Sequence, residues 1–85
     1  MRGELTERDR AILALEAAWP RHTGFKEEAI RTSLGMSPAR YYQLLDRLIE
    51  TEQALEHDPL RVRRLRRIRD TRVTRRTTRM RGFVG

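Results

Sequence analysis

The spacing of apolar residues predicts an all-α fold, beginning with a helix after Thr6. Ile12, Leu15 and Trp19 recur at steps of three and four residues, which is the spacing of one face of an α-helix. The Thr6 hydroxyl can cap this helix. Pro20 ends it, because the residue before a proline is disfavoured in helical dihedrals. We therefore expect a first helix that buries Ile12, Leu15 and Trp19.

A second helix is predicted from about Phe25 to Leu34 by the same periodicity. In this register Phe25, Ala29, Ile30 and Leu34 face inward. Lys26 faces outward with the neighbouring charged residues.

A tight turn separates the second helix from a third. Gly35 can adopt the left-handed conformation that ends a helix, Ser37 can cap the next helix, and Pro38 suits its first position. The third helix is expected to run from Pro38 to about Thr51 and to bury an apolar stripe at successive turns. That stripe consists of Tyr41, Leu44, Leu45 and Leu48.

The helical pattern loosens after Glu52 and resumes at Asp58-Pro59, which supplies a cap and a first-turn proline. A fourth helix is expected to start there. Its apolar stripe, Val62, Leu65 and Ile68, is wide enough to dock on the preceding helices, while Arg63, Arg66 and Arg67 face away.

From Thr71 onward the apolar stripe ends, and threonines alternate with arginines. We therefore predict a three-helix helix-turn-helix domain over residues 1–58, a basic amphipathic helix over residues 59–70, and an Arg-rich flexible tail over residues 71–85. We expect this tail to be disordered when free.

Charge is distributed unevenly along these segments. Residues 60–85 contain eleven arginines and one acid, a net charge of +10, whereas residues 1–59 carry −3. Such a density of like charge repels itself and favours a polyanionic partner. Lys26 is the only lysine. Guanidinium groups bind phosphate through paired hydrogen bonds and also stack on bases, so nucleic acid is the expected partner.

Two helices joined by a glycine turn, the second capped by Ser-Pro, match the helix-turn-helix arrangement that places a recognition helix in the major groove. At 100° per residue, the outward side of the third helix carries four residues expected to read bases. These residues are Ala39, Arg40, Gln43 and Arg47. The alternative is a purely structural helical hairpin whose outer face is simply solvated.

Asp46 and Glu50 lie further along the same outer side of the third helix. Carboxylates close to phosphates are repelled. This favours a helix that enters the groove by its N-terminal half only.

Phosphate contacts are expected from the cap of the third helix and from the arginines of the C-terminal segment. These residues are Ser37, Arg61, Arg63, Arg64, Arg66, Arg67, Arg69, Arg72, Arg75, Arg76, Arg79 and Arg81.

Two segments, Leu34 to Leu45 and His57 to Leu65, carry a resemblance to a known family. Over about Leu5 to Arg69 the chain resembles short actinobacterial and actinophage proteins catalogued as a domain of unknown function. The resemblance implies a helix-turn-helix domain in an actinobacterial cytoplasm, and it implies no ligand, catalytic residue or target sequence.

A looser likeness is to the DNA-reading regions of sigma factors and response regulators. It is carried by residues 5–9 and 34–37. Those families usually have a small residue four positions before the turn glycine, where this chain has Arg31, so the packing of the second helix on the third is expected to differ.

Other classes of site find little support in the sequence. Cys is absent, and His22 and His57 have no zinc-site spacing, so we expect no metal, cofactor or catalytic residue and no enzyme activity. No apolar run approaches the length of a signal core or a membrane span. We expect a cytoplasmic, nucleoid-associated protein without a membrane partner.

The leading hypothesis is a small DNA-binding protein, either a transcription regulator or a nucleoid-associated protein. Two alternatives stay open: a ribosomal or other structured-RNA accessory protein, and a regulator that docks on RNA polymerase. A homodimer would extend the short footprint of a single recognition helix.

Overall fold

A computed structural model describes the backbone of residues 4–84 and the side chains of residues 4–72. Over that range the backbone is all-helical, as the periodicity predicted. The five helices are α1 (Glu7–Ala18), α2 (Gly24–Leu34), α3 (Pro38–Leu48), α4 (Glu52–His57) and α5 (Pro59–Val84). Helices α1, α2 and α3 pack against one another, and α4 packs against α5.

Local caps set the limits of the first three helices. Thr6 and Asp9 form a reciprocal capping box at the start of α1. Gly35 ends α2 with a φ of 63°, in the left-handed region that glycine adopts without steric penalty. The Ser37 hydroxyl accepts the backbone N–H of Arg40 and so caps α3, as expected.

The core lies between α1, α2 and α3 and extends to α4 and α5. Its buried apolar residues are Ile12, Leu13, Leu15, Ile30, Tyr41, Leu45, Leu48, Ile49, Ala54 and Val62. Burial of Tyr41, Leu45 and Leu48 confirms most of the stripe predicted for α3. Leu44 is only half-buried and packs at the edge of this core.

Two residues predicted to face inward are exposed, and one predicted to face outward is buried. Phe25 is 78% exposed, and Lys26 is only 2% exposed. Lys26 precedes Ile30 by four residues and shares its face, whereas Phe25 precedes Ile30 by five residues and lies about 140° away. Trp19 is 39% exposed because it is the C-cap of α1, where the backbone has already left the helical conformation.

The C-terminal half also differs from the prediction. Helix α3 ends at Leu48 rather than near Thr51, because Thr51 caps the short helix α4 through the backbone N–H of Ala54. In the stripe predicted for docking, Val62 is fully buried and Leu65 half-buried, but Ile68 is 45% exposed.

Helix α5 continues to Val84, although we expected the helix to end at Asp70 and the rest to be disordered. Arginine is a good helix former, and each residue added to an existing helix gains a backbone hydrogen bond without a new nucleus. Loss of the apolar stripe therefore does not end the helix. The division of the chain into three functional parts stays a prediction.

Candidate nucleic-acid interface

The outward side of α3 presents the four residues predicted to read bases. Ala39, Arg40, Gln43 and Arg47 are all exposed, and the periodicity of α3 places them on one side of the helix. Their common orientation follows from burial of Tyr41, Leu45 and Leu48 on the opposite side. Ser37, a predicted phosphate contact, is exposed at the N-terminal end of this face, and its hydroxyl caps α3.

Helix α5 is attached to the C-terminal end of α3 by three arginines. Arg66 donates from Nε to the Ile49 carbonyl at 2.5 Å and from a terminal nitrogen to the Thr51 carbonyl at 3.5 Å. Arg69 forms an ion pair with Glu50. Arg72 lies 3.8 Å from Asp46. We predicted phosphate contacts for all three arginines, and no local pattern in the sequence indicates these contacts within the chain.

The other predicted phosphate contacts on α5 fall into three groups. Arg61 pairs with Asp58 at 3.0 Å, at the start of the helix. Three arginines are exposed and form no ion pair with another residue whose side chain is described: Arg63, Arg64 and Arg67. The last group, Arg75, Arg76, Arg79 and Arg81, has side chains outside the described part of the chain.

A buried ion pair lies beneath the opposite side of α3. The Lys26 ammonium is 2.6 Å from a Glu16 carboxylate oxygen, and both side chains are 3% exposed. The Tyr41 hydroxyl donates to the same oxygen at 2.8 Å. Helices α1, α2 and α3 are thus joined by one polar cluster. The signal available in the sequence was spacing, since Glu16 follows Ile12 by four residues and Lys26 precedes Ile30 by four residues.

Tyr42 connects this cluster to the surface. Its hydroxyl shares a hydrogen bond of 2.7 Å with Nδ1 of His22, whose Nε2 is 3.2 Å from Glu27. Burial, with help from the nearby carboxylates of Glu16 and Glu27, raises the pKa of Tyr42 to about 12. Burial and then the Glu16 carboxylate raise the pKa of Tyr41 even further above its ordinary value.

A groove of roughly 500 Å³ separates this cluster from α5. Leu45, Ile49, Leu65 and Ile68 form its apolar wall, and Asp46 and Arg72 are among its polar residues. Within residues 4–72, no group of three or more histidines or acids is placed to hold a metal ion. Over the described residues, none of the helices has an apolar stretch sufficient for a membrane crossing.

Comparison with known proteins gives one family match. The model of the family described as "Protein of unknown function (DUF3263)" matches residues 4–77, which is most of the chain. No curated protein and no solved structure matches. The resemblance to a family of unknown function is therefore confirmed, and this chain belongs to the DUF3263 family.

Proposed function

We propose that this protein binds duplex DNA, with α2 and α3 acting as a helix-turn-helix and α3 entering the major groove. The observation that carries the proposal is the exposed face of α3, formed by Ala39, Arg40, Gln43 and Arg47. This face follows a three-residue turn and stands on a core that holds α3 through Tyr41. A helix held in this way can offer its N-terminal residues to base edges.

The chemistry of this face suits base recognition. Arginine can donate two hydrogen bonds to guanine, as Arg40 and Arg47 would, and the Gln43 amide can pair with adenine. Ala39 is small enough to allow close approach or to contact a thymine methyl group. The N-terminus of α3, with Ser37 as its cap, suits a nearby phosphate because the helix dipole and backbone N–H groups favour an anion there.

The acids on the outer side of α3 are consistent with this orientation. Asp46 lies in the C-terminal half of α3 and Glu50 two residues beyond its end, and both contact arginines of α5. Their charge is partly offset by those arginines, so they oppose a phosphate backbone less than isolated carboxylates would.

The Arg-rich helix α5 would supply most of the affinity. If six to eight arginines neutralise phosphates, the logarithm of the binding constant should fall with the logarithm of salt concentration at a slope of about −5 to −7. Arg63, Arg64 and Arg67 are exposed and available for such contacts.

The test is selection of preferred duplexes from a random pool, followed by titration of the selected duplex by fluorescence anisotropy at several salt concentrations. Arg40→Ala should relax base preference at one position of the selected site, with a loss of roughly 1–3 kcal/mol of discrimination. Arg8→Ala, which removes an exposed arginine from α1, is the matched control and should leave the preference unchanged.

Deletion of residues 73–85 should instead weaken binding to all duplexes alike, because arginines that contact phosphates carry no sequence information. Identical base preference in the parent and in Arg40→Ala would reject α3 as the reading helix. Failure of the parent protein to bind duplex DNA in dilute buffer would reject the proposed function.

Structured RNA is the second candidate, and the length of α5 is the feature that favours it. This helix of 26 residues contains eleven arginines, against two on the proposed reading face of α3. Such helices suit RNA folds, which are recognised largely by shape and phosphate contacts. Competition between duplex DNA and a structured RNA at matched salt separates the candidates, and a tenfold preference for RNA would reverse their order.

A further inference from the structure

Three arginines of α5 contact the C-terminal end of α3 and the segment that follows it. Arg66 and Arg69 contact residues 49–51, directly after α3, whereas Arg72, further along α5, contacts Asp46 inside α3. Helix α5 therefore leads from the C-terminal end of α3 back along it, antiparallel to α3. We call Arg66, Arg69 and Arg72 with these partners the ladder.

Each arginine of the ladder contacts an acceptor at or near the C-terminal end of α3. Arg66 is half-buried and donates to the Ile49 carbonyl, just beyond the end of α3, where the helix dipole is negative. The Thr51 carbonyl that Arg66 also reaches accepts the backbone N–H of Leu55 as well. The Arg69 side chain is only 22% exposed against Glu50. These guanidinium groups have carboxylate and carbonyl partners within the chain, which sets them apart from the exposed Arg63, Arg64 and Arg67.

The ladder also sets the direction of the rest of α5. The backbone from Arg72 to Val84 is about 18 Å long, and α3 from Asp46 back to Pro38 is about 12 Å long, at 1.5 Å per residue. Helix α5 therefore has the length to reach past the N-terminal end of α3. That end carries Ser37 and two of the proposed base-reading residues, Ala39 and Arg40.

We propose that Arg66, Arg69 and Arg72 are positioning residues, which hold α5 antiparallel to α3 so that the other arginines of α5 can contact the DNA backbone beside the reading face of α3. This inference rests on the proposed DNA binding. It divides the arginines of α5 into a set that fixes the helix and a set that contacts phosphate. It also gives a role to Asp46 in the C-terminal half of α3 and to Glu50 just beyond it, which are the acids that Arg72 and Arg69 contact.

The test compares two triple variants with the same loss of charge. The ladder variant carries Arg66→Gln, Arg69→Gln and Arg72→Gln. The matched control carries Arg63→Gln, Arg64→Gln and Arg67→Gln. Because the chain has no cysteine, nitroxide labels can be attached at Ala14→Cys in α1 and Thr71→Cys in α5, both at exposed positions, and their distance measured by pulsed electron resonance.

We expect the ladder variant to broaden the distance distribution and the control to keep it as narrow as in the parent. A narrow distribution in the ladder variant would overturn the proposal. Circular dichroism verifies that the helices persist. If the ladder variant unfolds, a charge exchange takes its place. Arg69→Glu alone should broaden the distance distribution, and the double variant Arg69→Glu with Glu50→Arg should restore the narrow one. Failure of the double variant to restore it would equally overturn the proposal.

DNA titration gives the second readout. The control should make the slope of log K against log salt less steep by about 2.7, which corresponds to three lost phosphate contacts. The ladder variant should change the slope by less than about 1 and should instead reduce the ratio of selected-site to random-site affinity. Equal slope changes in both variants would refute the division, because charge alone would then decide binding. If the parent does not bind DNA, the proposed function and the phosphate contacts of the α5 arginines are both rejected. The distances between the labels still decide whether the ladder positions α5.

Discussion

Removal of the Lys26 ammonium tests how strongly the buried polar cluster holds the three-helix core together. In Lys26→Met the side chain keeps most of its length, but the Glu16 carboxylate loses a partner at 2.6 Å while remaining 3% exposed. The Tyr41 hydroxyl, at 2.8 Å from the same oxygen, is the remaining partner. One neutral donor compensates a buried carboxylate only in part, because a charge removed from water needs an opposite charge or several hydrogen bonds.

The expected loss is large relative to the stability of so small a domain. Breaking a buried ion pair by removing one partner costs about 3–5 kcal/mol. A chain of 85 residues is stabilised by roughly 4–13 kcal/mol in total, at 0.05–0.15 kcal/mol per residue. At roughly 4–8 °C per kcal/mol for a domain of this size, the melting temperature should fall by at least about 12 °C.

Urea unfolding followed by circular dichroism measures the free energy directly. Glu28→Gln, which removes an exposed charge from the same helix as Lys26, is the control and should change stability by less than about 0.5 kcal/mol. The double variant Glu16→Leu with Lys26→Met should recover most of the loss, because apolar residues of similar volume can replace a buried pair. A loss below about 1 kcal/mol in Lys26→Met, or losses that simply add in the double variant, would refute the argument.

Three further measurements test other parts of the structure. Val62→Ala should destabilise the fold by roughly 2 kcal/mol in urea unfolding, because Val62 is fully buried. Leu60→Ala, at an 80% exposed position of the same helix, should have almost no effect. Equal losses of stability in the two variants would contradict the docking of α5. Both tyrosines should titrate at a higher pH than a free phenol when followed by absorbance at 295 nm. The free energy of unfolding should fall as pH rises from about 10 to 12, because the unfolded chain loses its phenolic protons near pH 10.0 while folded Tyr42 retains its proton to about pH 12. Formation of two tyrosinates near pH 10 with the helices intact would refute this. Gly35→Ala should lower stability by about 1–2 kcal/mol through its positive φ alone, because the added methyl group meets no atom within 4 Å. Gly24→Ala, in the first turn of α2, should be neutral or slightly stabilising. The opposite order of melting temperatures would contradict the left-handed cap.

The features predicted correctly from the sequence are those fixed by neighbouring residues. The cap at Thr6, the left-handed Gly35 and the Ser37 cap depend on interactions over three or four positions, and the structure has all three. The outward face of α3 follows from the same local periodicity. Helix α4 was missed because its six residues are too short to show a period.

The errors concern residues whose partners lie outside their own helix. In α2 we predicted Phe25 inward and Lys26 outward, whereas the spacing from Ile30 and the contact with Glu16, ten residues earlier in the chain, place the lysine inside. The ladder between α3 and α5 joins residues 15 to 26 positions apart, so no local pattern reports it. An arginine that binds a carbonyl looks the same in sequence as one that binds phosphate.

The ion pairs of Asp46 and Glu50 give a reason for acids on, and directly after, the helix proposed to read DNA in a strongly basic protein. Isolated carboxylates at Asp46 and Glu50 would repel a phosphate backbone, and α3 would bind more tightly without them. Paired with Arg72 and Arg69, they instead fix the direction of a long cationic helix relative to a short reading helix. Positive charge alone does not fix the orientation of α5, and arginines on a loosely attached helix would bind every DNA sequence equally well. The two acids therefore lower the affinity for DNA in general and raise the selectivity for one site. Replacing both with glutamine should raise the affinity for random duplexes and lower the ratio of selected-site to random-site affinity.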